Sequence, residues 1–288
     1  MAPKISRPAY DPGENSAQRL QRSYARALKE IAWLEESPEM FGLTFSKTLN
    51  TAFVHCLHDP TANTIGSWEA WVAAMQTGSA LFASAGAPEG TTVECMIAHK
   101  VRAIPASGTR HFVHAATWLE AFWLAVICRD QVRMSQLCNV PIEQLRSSGA
   151  QFEEYIYHWV DALQTYWLER PGLGEKLVTA FDGTSPDTLQ SVDRELMLKI
   201  LYPPLNLFHR FISQDPEKFN DALVEAIELH KEYWTADEER SDDLSGAVAL
   251  APLAIACLAY DAGRPIDVES EYLPANLLDR SWLGEFET

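Results

Sequence analysis

The chain has 288 residues, 47% of them apolar, enough to bury a core at this length without disulfide or metal staples. Its formal net charge of −17 falls entirely after residue 150: residues 1–150 hold 13 acids against 13 bases, and residues 151–288 hold 27 against 10. A field this one-sided repels nucleic acid and anionic membrane and attracts something basic, so composition points to a partner protein.

Residues 1–14 carry three prolines, a glycine and little apolar weight, and read as a flexible N-terminal tail. The first residues contain no apolar segment of the kind a secretory signal needs. Beyond the tail, apolar residues recur with a period of 3.6. The spacing predicts helices near 15–35, 38–58, 65–84, 109–128, 130–138, 151–168, 174–181, 187–201, 204–213, 216–235 and 246–261. Ser37-Pro38-Glu39, Ser185-Pro186-Asp187 and Asp215-Pro216-Glu217 each place a capping residue before a proline at the first helical position. Asp59-Pro60 and Tyr202-Pro203-Pro204 read as helix ends, because the residue before proline is pushed out of the helical region. Thr92–Ile97 alternates, and Val101–Ile104 follows a short polar break, which predicts one small β-hairpin near 92–104. Residues 265–269 could add one extended piece. The longest apolar run, Ala247–Tyr260, is broken by Pro252 and reads as too short to cross a bilayer. Together these elements predict an all-α fold of antiparallel helix pairs, an irregular bundle or curved stack, forming a single domain over 15–288. Any subdivision should fall near Gly149 or Gly172.

The cysteines (Cys56, Cys95, Cys128, Cys138, Cys257) are odd in number and irregular in spacing. They read as buried thiols in a reducing, cytoplasmic compartment. His55/His58 and His111/His114 each have the i, i+3 spacing that could share a metal, but no spacing supplies further ligands, so core or loop histidines are expected and no metal is assigned. His230 sits on an apolar helix face and reads as a hydrogen-bonded interior residue. No phosphate-binding glycine loop or nucleophile elbow is present, and adjacent pairs such as Glu153-Glu154 are common in any acidic chain. No catalytic residue and no cofactor is assigned. Trp68/Trp71, Trp118/Trp123 and Trp159/Trp167 read as core.

The feature that stands apart lies on the predicted helix 216–235. Glu217, Asp221, Glu225, Glu228 and Glu232 follow at steps of four, four, three and four, so they line one face, opposite the Phe219/Leu223/Tyr233 stripe. Like charges at this spacing cost roughly 0.2–0.5 kcal/mol per pair, and Lys218 and Lys231 offset only part. The ridge runs on into Asp237, Glu238 and Glu239 beside Trp234, an aromatic at a charged rim. A solvated polar face gives the same pattern; a surface for a basic partner explains why the repulsion is repeated. These nine residues are the partner-binding candidates.

Several phrases taken in order resemble the Immunity protein 49 family of bacterial polymorphic-toxin systems. They are Ser67–Gln76 (SWEAWVAAMQ), Trp118–Asp130 (WLEAFWLAVICRD), Tyr157–Gln164 (YHWVDALQ), Arg194–Pro203 (RELMLKILYP), Lys218–Leu223 (KFNDAL), Glu228–Trp234 (ELHKEYW), Ala251–Ala259 (APLAIACLA) and Val268–Pro274 (VESEYLP). The resemblance spans about residues 40–280. It implies an all-helical protein that binds and neutralises a toxin delivered by a neighbouring cell, often a nuclease or another enzyme of the cytoplasm. It carries over no catalytic motif and no contact residues, so the acidic ridge rests on spacing and charge alone. Two rivals stand beside it: a helical scaffold or regulatory module for another cellular protein, and a metal enzyme built on one of the histidine pairs.

Overall fold

A computed structural model describes residues 2–11, 13–185, 189–213 and 215–284. The structure is mainly α-helical, with two sheets of two strands each among the described residues. It divides into two compact units where the sequence suggests one domain. The C-terminal unit comprises Met1–Ala9 with Gln151–Ser281, and the N-terminal unit Tyr10–Ala150 with Trp282–Thr288. The break after Ala150 falls beside Gly149, whose φ of +80° is a turn that a side chain would strain.

The first element, β1 (Lys4–Ile5), corrects the expectation of a loose tail. It pairs in parallel with Glu269–Ser270, Ile5 is buried, and Ser270 Oγ donates to the Ile5 carbonyl at 2.7 Å. Arg7 continues the anchoring, its backbone N–H donating to Glu271 and its guanidinium to the Ala247 carbonyl, both at 2.8 Å. Two residues pairing across 265 positions leave no periodic trace in composition.

The N-terminal unit is built around α3 (Ile65–Gly86), which packs on α2 (Phe41–His58), and α1 (Ser16–Trp33) packs on α2 in turn. Alpha3 is apolar on nearly every side and buried along most of its length, as expected of a helix enclosed by neighbours. Gly78 sets how closely they approach, since a Cβ there would lie 2.7 Å from the Phe45 ring and 3.0 Å from Ala121. The hairpin appears where expected, β2 (Thr92–Ile97) antiparallel to β3 (Lys100–Pro105). The next helix, α4 (Ala115–Ile127), begins six residues later than its predicted start because His114 caps it, Nδ1 accepting from the Thr117 N–H at 3.2 Å. Alpha5 (Gln131–Cys138) and the short α6 (Ile142–Arg146) complete the unit. Trp118 stacks on Phe122 at 4.9 Å and donates its indole N–H to the Leu137 carbonyl at 2.8 Å. Of the tryptophans expected in the core, Trp68, Trp71, Trp118, Trp123 and Trp159 are buried and Trp167 is half-buried, and all five cysteines are buried thiols.

The C-terminal unit opens with the hairpin of α7 (Tyr155–Trp167) and α8 (Leu173–Asp182). The Ser185-Pro186-Asp187 cap and the start of the helix predicted at 187–201 fall on residues 186–188, outside the described residues. Helical structure resumes at α9 (Arg194–Leu196), capped by Asp193, and passes through a π-turn (Met197–Leu201) into α10 (Tyr202–Ile212). Here Tyr202-Pro203-Pro204 does not end a helix. The Tyr202 N–H reaches back five residues to the Met197 carbonyl, and the prolines occupy the first turn of α10, where a missing N–H costs little. Alpha11 (Pro216–Trp234), α12 (Glu238–Ser241), α13 (Leu250–Asp261), β4 (Glu269–Ser270) and α14 (Ala275–Leu278) follow. Phe208 and Phe211 of α10 join Trp159, Tyr166 and Phe219 in one aromatic cluster. Leu244–Asp261 has the length and hydropathy of a membrane span, but 56% of that window is buried and its α13 portion has only 12 residues, so it serves as core.

Candidate partner-binding surface

Alpha11 forms where the sequence places it. Asp215 caps it, its carboxylate accepting from the Lys218 N–H at 3.2 Å, and Pro216 occupies the first turn. Phe219, Ala222, Leu223, Ala226, Ile227 and His230 turn inward and are buried. His230 is an interior residue: Nε2 lies 3.2 Å from the Gly246 carbonyl, the ring meets Tyr272 edge-on at 5.1 Å, and burial pushes its pKa down from 6.5 to about 4. A neutral imidazole donating to that carbonyl fits this enclosure.

On the opposite side Glu217, Asp221, Glu225, Glu228 and Glu232 are all exposed, so the ridge is continuous. The structure then sorts the nine candidates by what each already touches. Glu217, Asp221, Glu225 and Glu228 make no ion pair among the described residues. Glu232 is held, accepting from Lys199 Nζ at 2.8 Å. Lys199 also reaches Glu195 at 2.9 Å, and Arg240 reaches Glu195 at 2.9 Å and Asp237 at 3.3 Å while lying 4.2 Å over the Tyr233 ring. The hydrogen bonds from Lys199 and Arg240 hold the Glu195 carboxyl below the usual range. This network ties the π-turn to α11 and α12.

Asp237, Glu238 and Glu239 do not extend α11 as a charged tail. They begin α12: Asp237 caps it, accepting from the Arg240 N–H at 2.9 Å, and the two glutamates occupy its first turn, where negative charge is favoured. Trp234 is not an outward anchor. It is half-buried, packs so closely on Gly246 that a Cβ there would lie 2.8 Å from its own, and keeps its indole nitrogen enclosed. Beside the ridge, Lys4, Ile5, Glu228, Lys231, Glu232 and Thr235 line a shallow groove of about 330 Å³.

Three of the four paired histidines are engaged within the fold, while His111 is exposed beside the Phe112 ring. His55 is buried against Tyr24, and burial depresses its pKa. His58 meets the Tyr10 hydroxyl at 3.3 Å, and His114 caps α4. Asp59, beside the first pair, accepts from Asn63, Thr64 and Ser67 at 2.7–3.0 Å; burial opposes its charge, but these bonds outweigh that and hold its pKa down. No group of three metal-binding side chains occurs among the described residues. Sequence reasoning missed the Glu195–Arg240 link, although Glu195 and Lys199 stand at the i, i+4 spacing that pairs on a helix.

A family model described as Immunity protein 49 matches residues 59–277. No curated protein and no solved structure matches this chain.

Proposed function

The chain belongs to the Immunity protein 49 family, and on that footing we propose that it inhibits a cognate bacterial toxin stoichiometrically, docking the acidic face of α11 on a basic surface of the toxin, within the cytoplasm. One observation carries the choice of surface: four neighbouring carboxylates, Glu217, Asp221, Glu225 and Glu228, are exposed together without an intramolecular cation among the described residues. A fold that needed these charges for itself would have paired them, as it does Glu195. Charge complementarity of this kind accelerates encounter and selects partners, while buried contacts made on docking set the residence time. A nuclease is a fitting target, because an enzyme that holds nucleic acid presents the cationic groove an acidic ridge would fill. The reading requires neither catalysis nor a cofactor.

The test is co-expression with the product of the neighbouring gene. A stable equimolar complex is expected, together with loss of the toxin's activity inside it. Reversing Glu217, Asp221, Glu225 and Glu228 to Lys should weaken the complex by about a hundredfold or more, because like charges then face each other across the interface. The variant's own thermal midpoint should change little. Undiminished binding by the reversed protein removes the ridge from the mechanism.

A further inference from the structure

A second charged row lies on α1, and its sign is opposite to that of the ridge. Arg22, Arg26 and Lys29 follow at steps of four and three, Trp33 comes four later, and all four are exposed on one face of the helix. None of the three cations makes an ion pair among the described residues. Arg19, on the same face, turns back beside Gly13. The helix has a single acid, Glu30, and Lys47 of α2 holds it at 2.6 Å. Trp33 is 58% exposed, a large aromatic left at the end of a cationic row.

The ridge has the same spacing. Asp221, Glu225, Glu228 and Glu232 repeat the steps of four, three and four, so each row spans about 16 Å of helix. Laid side by side in one direction, Arg22 meets Asp221, Arg26 meets Glu225 and Lys29 meets Glu228. Trp33 then arrives at Glu232, already held by Lys199, where the groove of about 330 Å³ opens. The reverse direction would carry Trp33 to Asp221, away from the groove. Lys4 and Lys231 line that groove without an ion pair among the described residues, and an ammonium suits the face of an indole. They suit equally the exposed Glu36 that follows Trp33. Lys218, the other base on α11, is taken by Asp215 at 2.9 Å. Nucleic acid or anionic lipid would meet a chain whose net charge is −17, whereas a second copy brings the matching carboxylates with it.

We propose that the free protein self-associates head to tail, the basic row of α1 in one copy covering the acidic ridge of α11 in the next, so that a toxin displaces a second copy to reach the ridge. The inference adds regulation to the ridge and rests on the toxin-binding reading for that role, but the contact itself is measured without toxin. Sedimentation velocity of the full-length protein at about 50 mM salt should show an average mass that rises with concentration up to about 300 μM, the behaviour of a small contact. About 1 M salt should return it to a single chain. Arg26→Glu should weaken association about tenfold, and adding Glu225→Arg to the same chain should restore it, whereas adding Glu217→Arg should not. Trp33→Ala should weaken it about fivefold. These positions are exposed, so the thermal midpoint should hold in each variant. A chain that stays single throughout overturns the proposal, as does association that Arg26→Glu leaves intact or that Glu217→Arg restores as well as Glu225→Arg does. A single chain that instead binds phosphatidylserine vesicles through Arg26 would assign the row to anionic lipid and also overturn it. Toxin binding through the ridge without self-association removes this proposal alone. Self-association that stands while the ridge-reversed protein still binds toxin removes only the toxin reading of the ridge.

Discussion

The two halves of the chain spend their acids differently. In the balanced first half, carboxylates work inside the fold: Glu35 bridges Lys100 and Arg102 of β3 at 3.3 and 2.9 Å, Glu30 meets Lys47 at 2.6 Å, Asp130 pairs with Arg133, and Asp59 organises the turn into α3. In the second half some acids work the same way. Glu195 collects Lys199 and Arg240, and Glu153 seats one oxygen among the backbone N–H groups of Gln190, Ser191 and Val192 at 2.6–3.2 Å. What distinguishes the second half is the remainder, a row on α11 with no internal duty. Net charge alone would not have located it. The informative quantity is the charge left after every intramolecular pairing is subtracted.

Acid is the strongest test of that contrast. The interior of the C-terminal unit predicts that acid lowers its stability. His230 in the folded protein has a pKa of about 4, against 6.5 for a free side chain. Above 6.5 both states are neutral and stability is complete. As pH falls from 6.5 towards 4 the unfolded chain takes up a proton that the folded one refuses, and roughly 3 kcal/mol is lost. Urea unfolding at a series of pH values should show this decline, and His230→Gln should flatten it. A flat or rising profile over that window would show that His230 is not buried as a neutral ring.

The next effect concerns an acid at work. Glu153→Ala removes the acceptor of three backbone N–H groups and of the Ser191 hydroxyl. Charged hydrogen bonds of this type contribute on the order of 2 kcal/mol once water has replaced the lost partner. The Ser191 backbone bond, the largest influence, holds the Glu153 carboxyl below its ordinary range. Its contribution is therefore present above the usual carboxylate range and fades as pH drops through it. Hydrogen exchange of residues 190–192 should accelerate in the variant. Unchanged protection there would place Glu153 among the idle acids and blur the contrast.

How much of this was legible beforehand follows from range. Alpha11, its Asp215 cap and the face carrying the ridge are local facts, fixed by a 3.6 period and one capping residue, and they read directly from sequence. So did the hairpin, whose alternation is equally local. The partition of the nine candidates was not legible, because Arg240 reaches Glu195 across 45 positions and Trp234 is turned inward by Gly246 twelve residues away. Asp237, Glu238 and Glu239 read as a continuation of the ridge because, although the period ends that helix near 235, four residues are too few for it to show that a new helix, capped by Asp237, begins there. The division after Ala150 coincides with the shift in charge balance and with the turn at Gly149, one of the two places the sequence offers for a subdivision, whereas the return of residues 1–9 to the C-terminal unit is a long-range pairing with no local trace.

The smallest expected effect is the most direct measure of idleness. Asp221→Asn, Glu225→Gln and Glu228→Gln together remove the four like-charge pairs of the ridge (217/221, 221/225, 225/228 and 228/232) at the cost of two attractive i, i+3 spacings with Lys218 and Lys231, and helix propensity hardly changes. Glu217 is left in place because the first turn of α11 favours negative charge. A gain of about 0.5–1 kcal/mol is expected at low ionic strength. The gain should vanish in about 1 M salt, where the screening length falls to about 3 Å and the wild-type ridge no longer repels itself. A working carboxylate behaves in the opposite way, as Glu153 should: removing it costs stability, and salt does not restore a lost backbone acceptor. A triple variant less stable than the parent at low salt would mean that the row does serve the fold. A more stable variant that also binds toxin less well would show the ridge trading folding stability for recognition.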